Sequence, residues 1–306
     1  MFPGQGSQYP GMGKNLSENF SAAREVFVEA DEVLGFKLSE LCFDGPAETL
    51  LLTENTQPAI LTVSVAALRV MQTEGFPGPD YVAGHSLGEY SALVAGGALS
   101  LPDALRTVRV RGRYMQEAVP AGAGAMAAVI GGALDEITSV CDEASQGQVC
   151  SPANINSPTQ VVIAGNTEAV DRAIELLKRR SVKRVVKLNV SAPFHCELMS
   201  VAQRRLAEDL NAVKFTDAET PVVANFDARA SRSGSELRGA LVRQVSSPVL
   251  WQESIELLLH EGVGRFVEVG PGKVLIGLLR QIDREPGAFH VEDSASLSAA
   301  REKLLV

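Results

Sequence analysis

Cysteine is scarce in this chain: four residues, Cys42, Cys141, Cys150 and Cys196, in 306 positions, none at C-x-x-C spacing. That pattern excludes a disulfide frame and a zinc site and reads as reduced thiols in a cytoplasmic protein. Basic charge is short as well. Against 37 Asp and Glu there are 28 Lys and Arg, a net charge of -9, which argues against general nucleic-acid binding. No apolar run reaches the roughly 18 residues of a membrane helix, and no signal peptide opens the sequence. Internal repeats and low-complexity segments are absent too. What remains, 45% hydrophobic and 21% charged residues, suits one sizeable core plus a subdomain.

The informative stretch is Tyr81-Val82-Ala83-Gly84-His85-Ser86-Leu87-Gly88-Glu89-Tyr90. A short apolar strand ends at Ala83, and helical spacing begins near Leu87 and continues through Ala92, Leu93 and Ala95. Between them, Gly-His-Ser-Leu-Gly matches the G-x-S-x-G nucleophile elbow. Small neighbours at Gly84 and Gly88 would allow the sharp turn, and Ser86 would project at a helix N-terminus. A glycine-rich turn with an incidental serine has the same letters. The strand before and the helix after favour the nucleophile. Such a serine needs a base, and only four histidines occur. His85 adjoins the serine and should point away from its hydroxyl. His260 looks like a helix C-terminal cap, and His290 falls in a polar tail segment. His195, in Ser191-Ala192-Pro193-Phe194-His195, is favoured by elimination. Cys196 beside it suggests a Cys–His dyad, but sequence neighbours rarely face each other in that way.

Elsewhere, Gly4 and Gly6 lie in a loop preceded by almost no strand, which is either an anion-binding nest or a flexible tail. Helical spacing covers Phe20 to Leu34, Pro58 to Thr73 and Leu101 to Glu117. In the last of these, Arg111 lies beside the apolar stripe of Leu105, Val108, Gly112 and Met115, and needs an anionic partner. From Gly124 to Ser191 the pattern becomes β-α-β-β-α-β: strands at 126–130, 149–154, 160–164 and 182–190, helices at 134–144 and 167–180. That order is the one of a ferredoxin-like unit inserted into a larger α/β domain. Its end carries Arg172, Lys178, Arg179, Arg180, Lys183, Arg184 and Lys187, either a solvated face or a patch for an acidic partner. Gly270-Pro-Gly-Lys273 lacks the Walker spacing and reads as a structural turn.

Taken together, Phe2-Pro-Gly-Gln-Gly-Ser-Gln8, Gly84-His-Ser-Leu-Gly-Glu-Tyr90, Gln116-Glu-Ala-Val119, Gly124-Ala-Met126, Pro193-Phe-His195 and Glu268-Val-Gly-Pro-Gly272 resemble the malonyl-CoA:acyl carrier protein transacylase family, in the family's order from Met1 to about Leu279. The resemblance implies an α/β-hydrolase-like core (residues 1–123 and 192–306) with a ferredoxin-like subdomain (124–191). It implies malonyl transfer from malonyl-CoA, with release of coenzyme A, to the phosphopantetheine thiol of an acidic acyl carrier protein for fatty acid synthesis. A polyketide-pathway transferase and a serine thioesterase or hydrolase are the alternatives. It further implies Ser86 and His195 as catalytic dyad, Gln5 and Leu87 as oxyanion hole, Arg111 as partner of the malonyl carboxylate, and the Gln244 carbonyl as the group orienting the histidine. Phe194 would set acyl choice. No metal, resident cofactor, membrane or nucleic acid is implied. Family members carry a buried strand before Phe-Pro-Gly-Gln-Gly, whereas here Met1-Phe2 opens the sequence.

Overall fold

The structure, a computed structural model, describes residues 1–180, 182–190 and 192–304; Ser191 of the Ser191–His195 stretch lies outside them. Ten strands occur among these residues: β1 (Val82–Ala83), β2 (Gly124–Ile130), β3 (Cys150–Ser157), β4 (Gln160–Asn166), β5 (Arg184–Lys187), β6 (Val222–Val223), β7 (Ala230–Ser231), β8 (Val249–Leu250), β9 (Arg265–Val269) and β10 (Gly287–Val291). Helices fill all the connections but β3–β4 and β6–β7, so the class is mixed α/β.

In the larger part, β1 runs parallel to β6, with Val82 opposite Val222, and β7 pairs antiparallel with β6. β9 and β10 form a parallel pair. The first two residues join these pieces. Phe2 bridges Gly84 in parallel, donating its N–H to Ala83 O at 2.9 Å and accepting from His85 N–H at 3.0 Å. On the other side Val269 N–H donates to Met1 O at 2.9 Å. Met1 and Phe2 thus lie between β9 and β1 and tie the Gly4–Gly6 loop to the sheet. β1 and β6 end side by side at this edge, where ligands of open parallel sheets bind.

Two long helices pack against each other in this part, one of them also against β9. Leu101–Glu117 has the bounds its periodicity predicts, and its cap Ser100 accepts from Asp103 N–H at 3.2 Å. Arg111 lies on its buried stripe, at i+4 from Thr107 and i−4 from Met115, both buried. The helix expected from Pro58 starts earlier, at Thr53, and runs to Thr73 with Pro58 inside. Side chains secure its first turn, Asn55 Nδ2 donating to Thr49 O at 3.0 Å and Thr56 Oγ1 to Leu50 O at 2.5 Å. Near-complete burial then holds the helix through the proline's missing N–H.

The smaller part has the strand and helix order read from the sequence, arranged as a sheet β5-β2-β4-β3 that β8 extends. Helices Leu134–Ser145 and Thr167–Lys178 enclose a second core of Ile137, Val140, Ile163, Val170 and Leu177. The ladder is longer at the hairpin than expected: β3 continues through Ser157, leaving only Pro158 and Thr159 as the turn. It is shorter at the edge. β5 spans four residues because it pairs only with β2, which ends where Gly131 and Gly132 take positive φ of 80° and 88°. His290 does not lie in a tail but in β10, paired opposite Glu268. Part of the basic block is tied down, by carbonyls at Arg172 and by carboxylates at three others. Arg172 donates to Ala144 O and Ser145 O, and Lys178, Arg180 and Lys187 pair with Glu175, Glu143 and Asp171. Arg179, Lys183 and Arg184 have no ion-pair partner among the described residues. No helix among those residues is long and apolar enough to cross a membrane.

Candidate active site

Ser86 stands between β1 and the helix Gly88–Ala95 with φ 51°, in the left-handed region. An L-residue there costs about 1–2 kcal/mol, so the turn must be held from outside. Asn225, just past β6, does so with three groups. Its Oδ1 accepts from Ser86 N–H at 2.6 Å, its Nδ2 donates to Gly84 O at 2.8 Å, and its own N–H donates to Glu89 Oε2 at 3.0 Å. The glycines are required by close approach: a Cβ on Gly84 would run into the Gly88 carbonyl, and one on Gly88 into the Phe2 carbonyl.

His195 lies 109 residues away in sequence, yet its Nε2 is 2.6 Å from Ser86 Oγ. Its Nδ1 is 2.9 Å from Gln244 O. A carbonyl only accepts, so Nδ1 carries the hydrogen and Nε2 presents its lone pair to the serine hydroxyl. His195 is buried, and burial, reinforced by the Arg111 cation, pushes its pKa down to about 3. The ring is therefore neutral near pH 7, as a base must be. His85 turns elsewhere, with Nε2 2.8 Å from Asn156 Oδ1 and its ring against Trp251. Cys196 donates back to Pro193 O at 3.1 Å, and burial pushes its thiol up to about 12. It forms no dyad with His195.

Arg111 is 1% exposed and reaches the nucleophile. Its Nη2 donates to Ser86 Oγ at 3.1 Å and to Gln244 Oε1 at 2.9 Å, and its Nη1 donates to Gln57 Oε1 at 2.9 Å. The guanidinium lies 5.6 Å from the Tyr90 ring centroid. The carboxylate nearest this network is Glu89, fully buried, whose Oε2 accepts from Gln244 Nε2 at 2.8 Å as well as from Asn225. Burial pushes this carboxyl up to about 7, against the lowering effect of its two donors and of Arg111.

A cavity of about 120 Å³ opens over these groups, and Gln5, Ser86, Leu87, Arg111, Phe194 and His195 all line it, with Met115, Met126, Leu188 and Val190 supplying apolar walls. The backbone N–H groups of Gln5 and Leu87 donate to no acceptor among the described residues. Gln244 stands behind the wall, its carbonyl on the histidine. The fold thus brings together every residue that the sequence reading assigns to the site. Asn225 and Gln57 join them without any motif marking them in advance, and Glu89, inside the Gly84–Tyr90 motif, joins them without an assigned role. A polar residue closing the apolar run Val222-Val-Ala224, and a carboxylate directly after the elbow, are the signals that point to Asn225 and Glu89.

A profile of the family described as "Acyl transferase domain" matches residues 1–298. The malonyl CoA-acyl carrier protein transacylase of Bacillus subtilis is 48% identical over 305 residues, 99% of this chain and 96% of the relative. Among solved structures, the malonyl CoA-acyl carrier protein transacylase from Coxiella burnetii superposes with a TM-score of 0.97 at 42% identity, covering 99% of this chain and 96% of that one. A malonyl-transacylase solved in complex with its type II PKS acyl-carrier protein superposes equally well, at TM-score 0.97 and 47% identity, over 99% of this chain and 98% of its own. Likeness at this level extends through both cores and the cavity between them, and on it the chain belongs to the acyl transferase domain family, among the malonyl CoA-acyl carrier protein transacylases.

Proposed function

We propose that this chain transfers malonyl from malonyl-CoA to the phosphopantetheine thiol of an acyl carrier protein, supplying extender units for fatty acid synthesis, through a malonyl ester on Ser86. The observation that carries the reading is the buried Arg111 guanidinium 3.1 Å from Ser86 Oγ. A cation taken out of water beside a nucleophile calls for an anionic acyl group, and its planar fork matches a carboxylate. A plain esterase substrate would leave it without a partner.

The steps follow from the neutral histidine. Ser86 Oγ attacks the thioester carbonyl as His195 Nε2 takes its proton, and the oxyanion forms against the Gln5 and Leu87 N–H groups. His195 returns that proton to the departing coenzyme A thiolate, leaving malonyl-Ser86 and a neutral base. The carrier's thiol then gives its proton to His195 and attacks the ester, and Ser86 recovers the proton as it leaves. One thioester is exchanged for another, and no resident cofactor enters. The Gln244 carbonyl supports the transient imidazolium where a hydrolase triad would place an acid. Arg111 opposes that charge until the malonyl carboxylate neutralises it, so the substrate itself strengthens the base.

In fold terms the same reading makes residues 1–123 and 192–306 an α/β-hydrolase-like core and residues 124–191 a ferredoxin-like subdomain. The parallel β1–β6 pair with the elbow at its end supports the first, and the sheet order β5-β2-β4-β3 supports the second. Phe194, with 9% exposure at the cavity wall, is assigned to acyl choice. The test compares malonyl-CoA consumption with and without holo acyl carrier protein. Label should move to the carrier thiol; release of free malonate at the same rate without carrier would instead make the protein a hydrolase.

A further inference from the structure

The Glu89 side chain makes no hydrogen bond to the Ser86 hydroxyl or to the His195 ring, yet it is wholly buried and accepts from the backbone N–H of Asn225, which holds the elbow, and from the side chain of Gln244, whose backbone carbonyl holds His195. We propose that Glu89 is a positioning residue for the carboxylate-binding arginine: by accepting from the Gln244 amide it fixes that amide with its oxygen toward Arg111, and so sets the discrimination between malonyl and acetyl groups. The inference rests on the reading of Arg111 as the partner of the malonyl carboxylate.

The Gln244 side chain has one acceptor and two donor hydrogens, and all are committed. Nε2 donates to Ser86 O at 3.0 Å and to Glu89 Oε2 at 2.8 Å, while Oε1 accepts from Arg111 Nη2 at 2.9 Å. A half-turn of the amide would set its oxygen against two acceptors and its NH2 against a guanidinium that only donates. Of the two acceptors that hold the NH2 in place, Ser86 O is the weaker constraint, because Glu89 N–H already donates to it at 3.1 Å. Glu89 Oε2 is an acceptor here whether or not the other oxygen carries a proton, and its bond from Asn225 N–H at 3.0 Å keeps it in place. Without it, the amide is anchored on its donor side by the shared Ser86 O alone and is free to swing its oxygen off Arg111 Nη2. Nη2 would then retain Ser86 Oγ alone, and the guanidinium would be drawn toward the nucleophile and away from the place a carboxylate occupies.

The test measures single-turnover acylation of Ser86 by malonyl-CoA and by acetyl-CoA in Glu89→Ala, Glu89→Gln, Gln244→Met and the double variant Glu89→Ala/Gln244→Met, with Arg111→Ala as reference. Gln244→Met keeps the backbone carbonyl that holds His195. Glu89→Ala should lower the malonyl-to-acetyl ratio by about tenfold or more, the scale of one hydrogen bond to a charged group. Glu89→Gln, whose amide oxygen accepts the same two bonds, should restore the ratio to within about threefold. Gln244→Met should reproduce the loss, and the double variant should be no worse than either single, since both act on one link. Equal losses for both acyl groups in Glu89→Ala would make Glu89 merely structural, and multiplying effects in the double variant would show that it does not act through Gln244. Either overturns the inference. Should Glu89→Ala fail to fold, an unchanged ratio in Gln244→Met overturns it as well. An unchanged ratio in Arg111→Ala would instead strike the reading of the arginine itself.

Discussion

Removing the Arg111 guanidinium should separate the substrates more sharply than any other single change. Arg111→Ala deletes a cation that is 1% exposed and donates to Gln57, Gln244 and Ser86. A malonyl carboxylate entering the cavity sheds water and must find that cation. Losing one partner of a buried pair costs about 3–5 kcal/mol, which predicts a fall of roughly 10²-fold or more in kcat/KM for malonyl-CoA. Acetyl-CoA has no carboxylate, so its slow transfer should be unchanged or improved. The assay is a competition between the two thioesters, reading the acyl group on Ser86. A second readout follows from the base. Burial is the larger cause of the low His195 pKa and the Arg111 cation the next, so the acid limb of the variant's acetyl-transfer profile should move to higher pH. Equal losses for malonyl and acetyl, with the acid limb unmoved, would show that the arginine only packs the site.

In the wild type, a His195 pKa held down to about 3 keeps the base neutral in acid, so kcat/KM should stay flat well below pH 6.5, the ordinary histidine value. The same depressed pKa contributes stability that is complete above pH 6.5 and is lost as pH falls toward about 3, because the unfolded chain takes up the proton first; a denaturant midpoint that does not fall over that window would contradict it. With Lys178, Arg180 and Lys187 ion-paired, Arg179, Lys183 and Arg184 are the cations without an ion pair among the described residues, and Lys183 and Arg184 are the pair to reverse. Lys183→Glu/Arg184→Glu should raise KM for carrier and weaken its salt dependence while sparing acylation by malonyl-CoA; unchanged carrier kinetics would place docking elsewhere. Phe194→Ser should admit methylmalonyl-CoA by about 1–3 kcal/mol, the scale of a methyl in a pocket, as read from the relative kcat/KM of the two thioesters.

Local chemistry was the legible part of this sequence. The elbow, the bounds of Leu101–Glu117 and the β-α-β-β-α-β order all follow from spacing within some twenty residues, and the fold keeps them. Pairings set by distant partners were not legible. β6, β7 and β8 are two residues long and exist only through their neighbours. His290 reads as tail until β9 pairs with its strand, and Arg111 reads as beside the stripe although it lies on it. The site divides in the same way. Ser86 and His195 are marked by motif and by elimination. Asn225 acts across 139 residues and Glu89 through the Gln244 side chain 155 residues on, so the local signals at each, a polar residue closing an apolar run and a carboxylate after the elbow, do not say what either holds. Gln244 was found for its carbonyl, through a family resemblance, while its amide does as much for Arg111.

The covalent step is tested most directly by intact mass after brief incubation with malonyl-CoA, followed by peptide mapping and then addition of holo carrier protein. The wild type should gain one malonyl group on Ser86 and lose it to the carrier thiol. Ser86→Ala should gain none, with turnover reduced by roughly 10⁴-fold or more. A malonyl adduct that persists on Ser86→Ala, or one that maps to another residue in the wild type, would contradict the account.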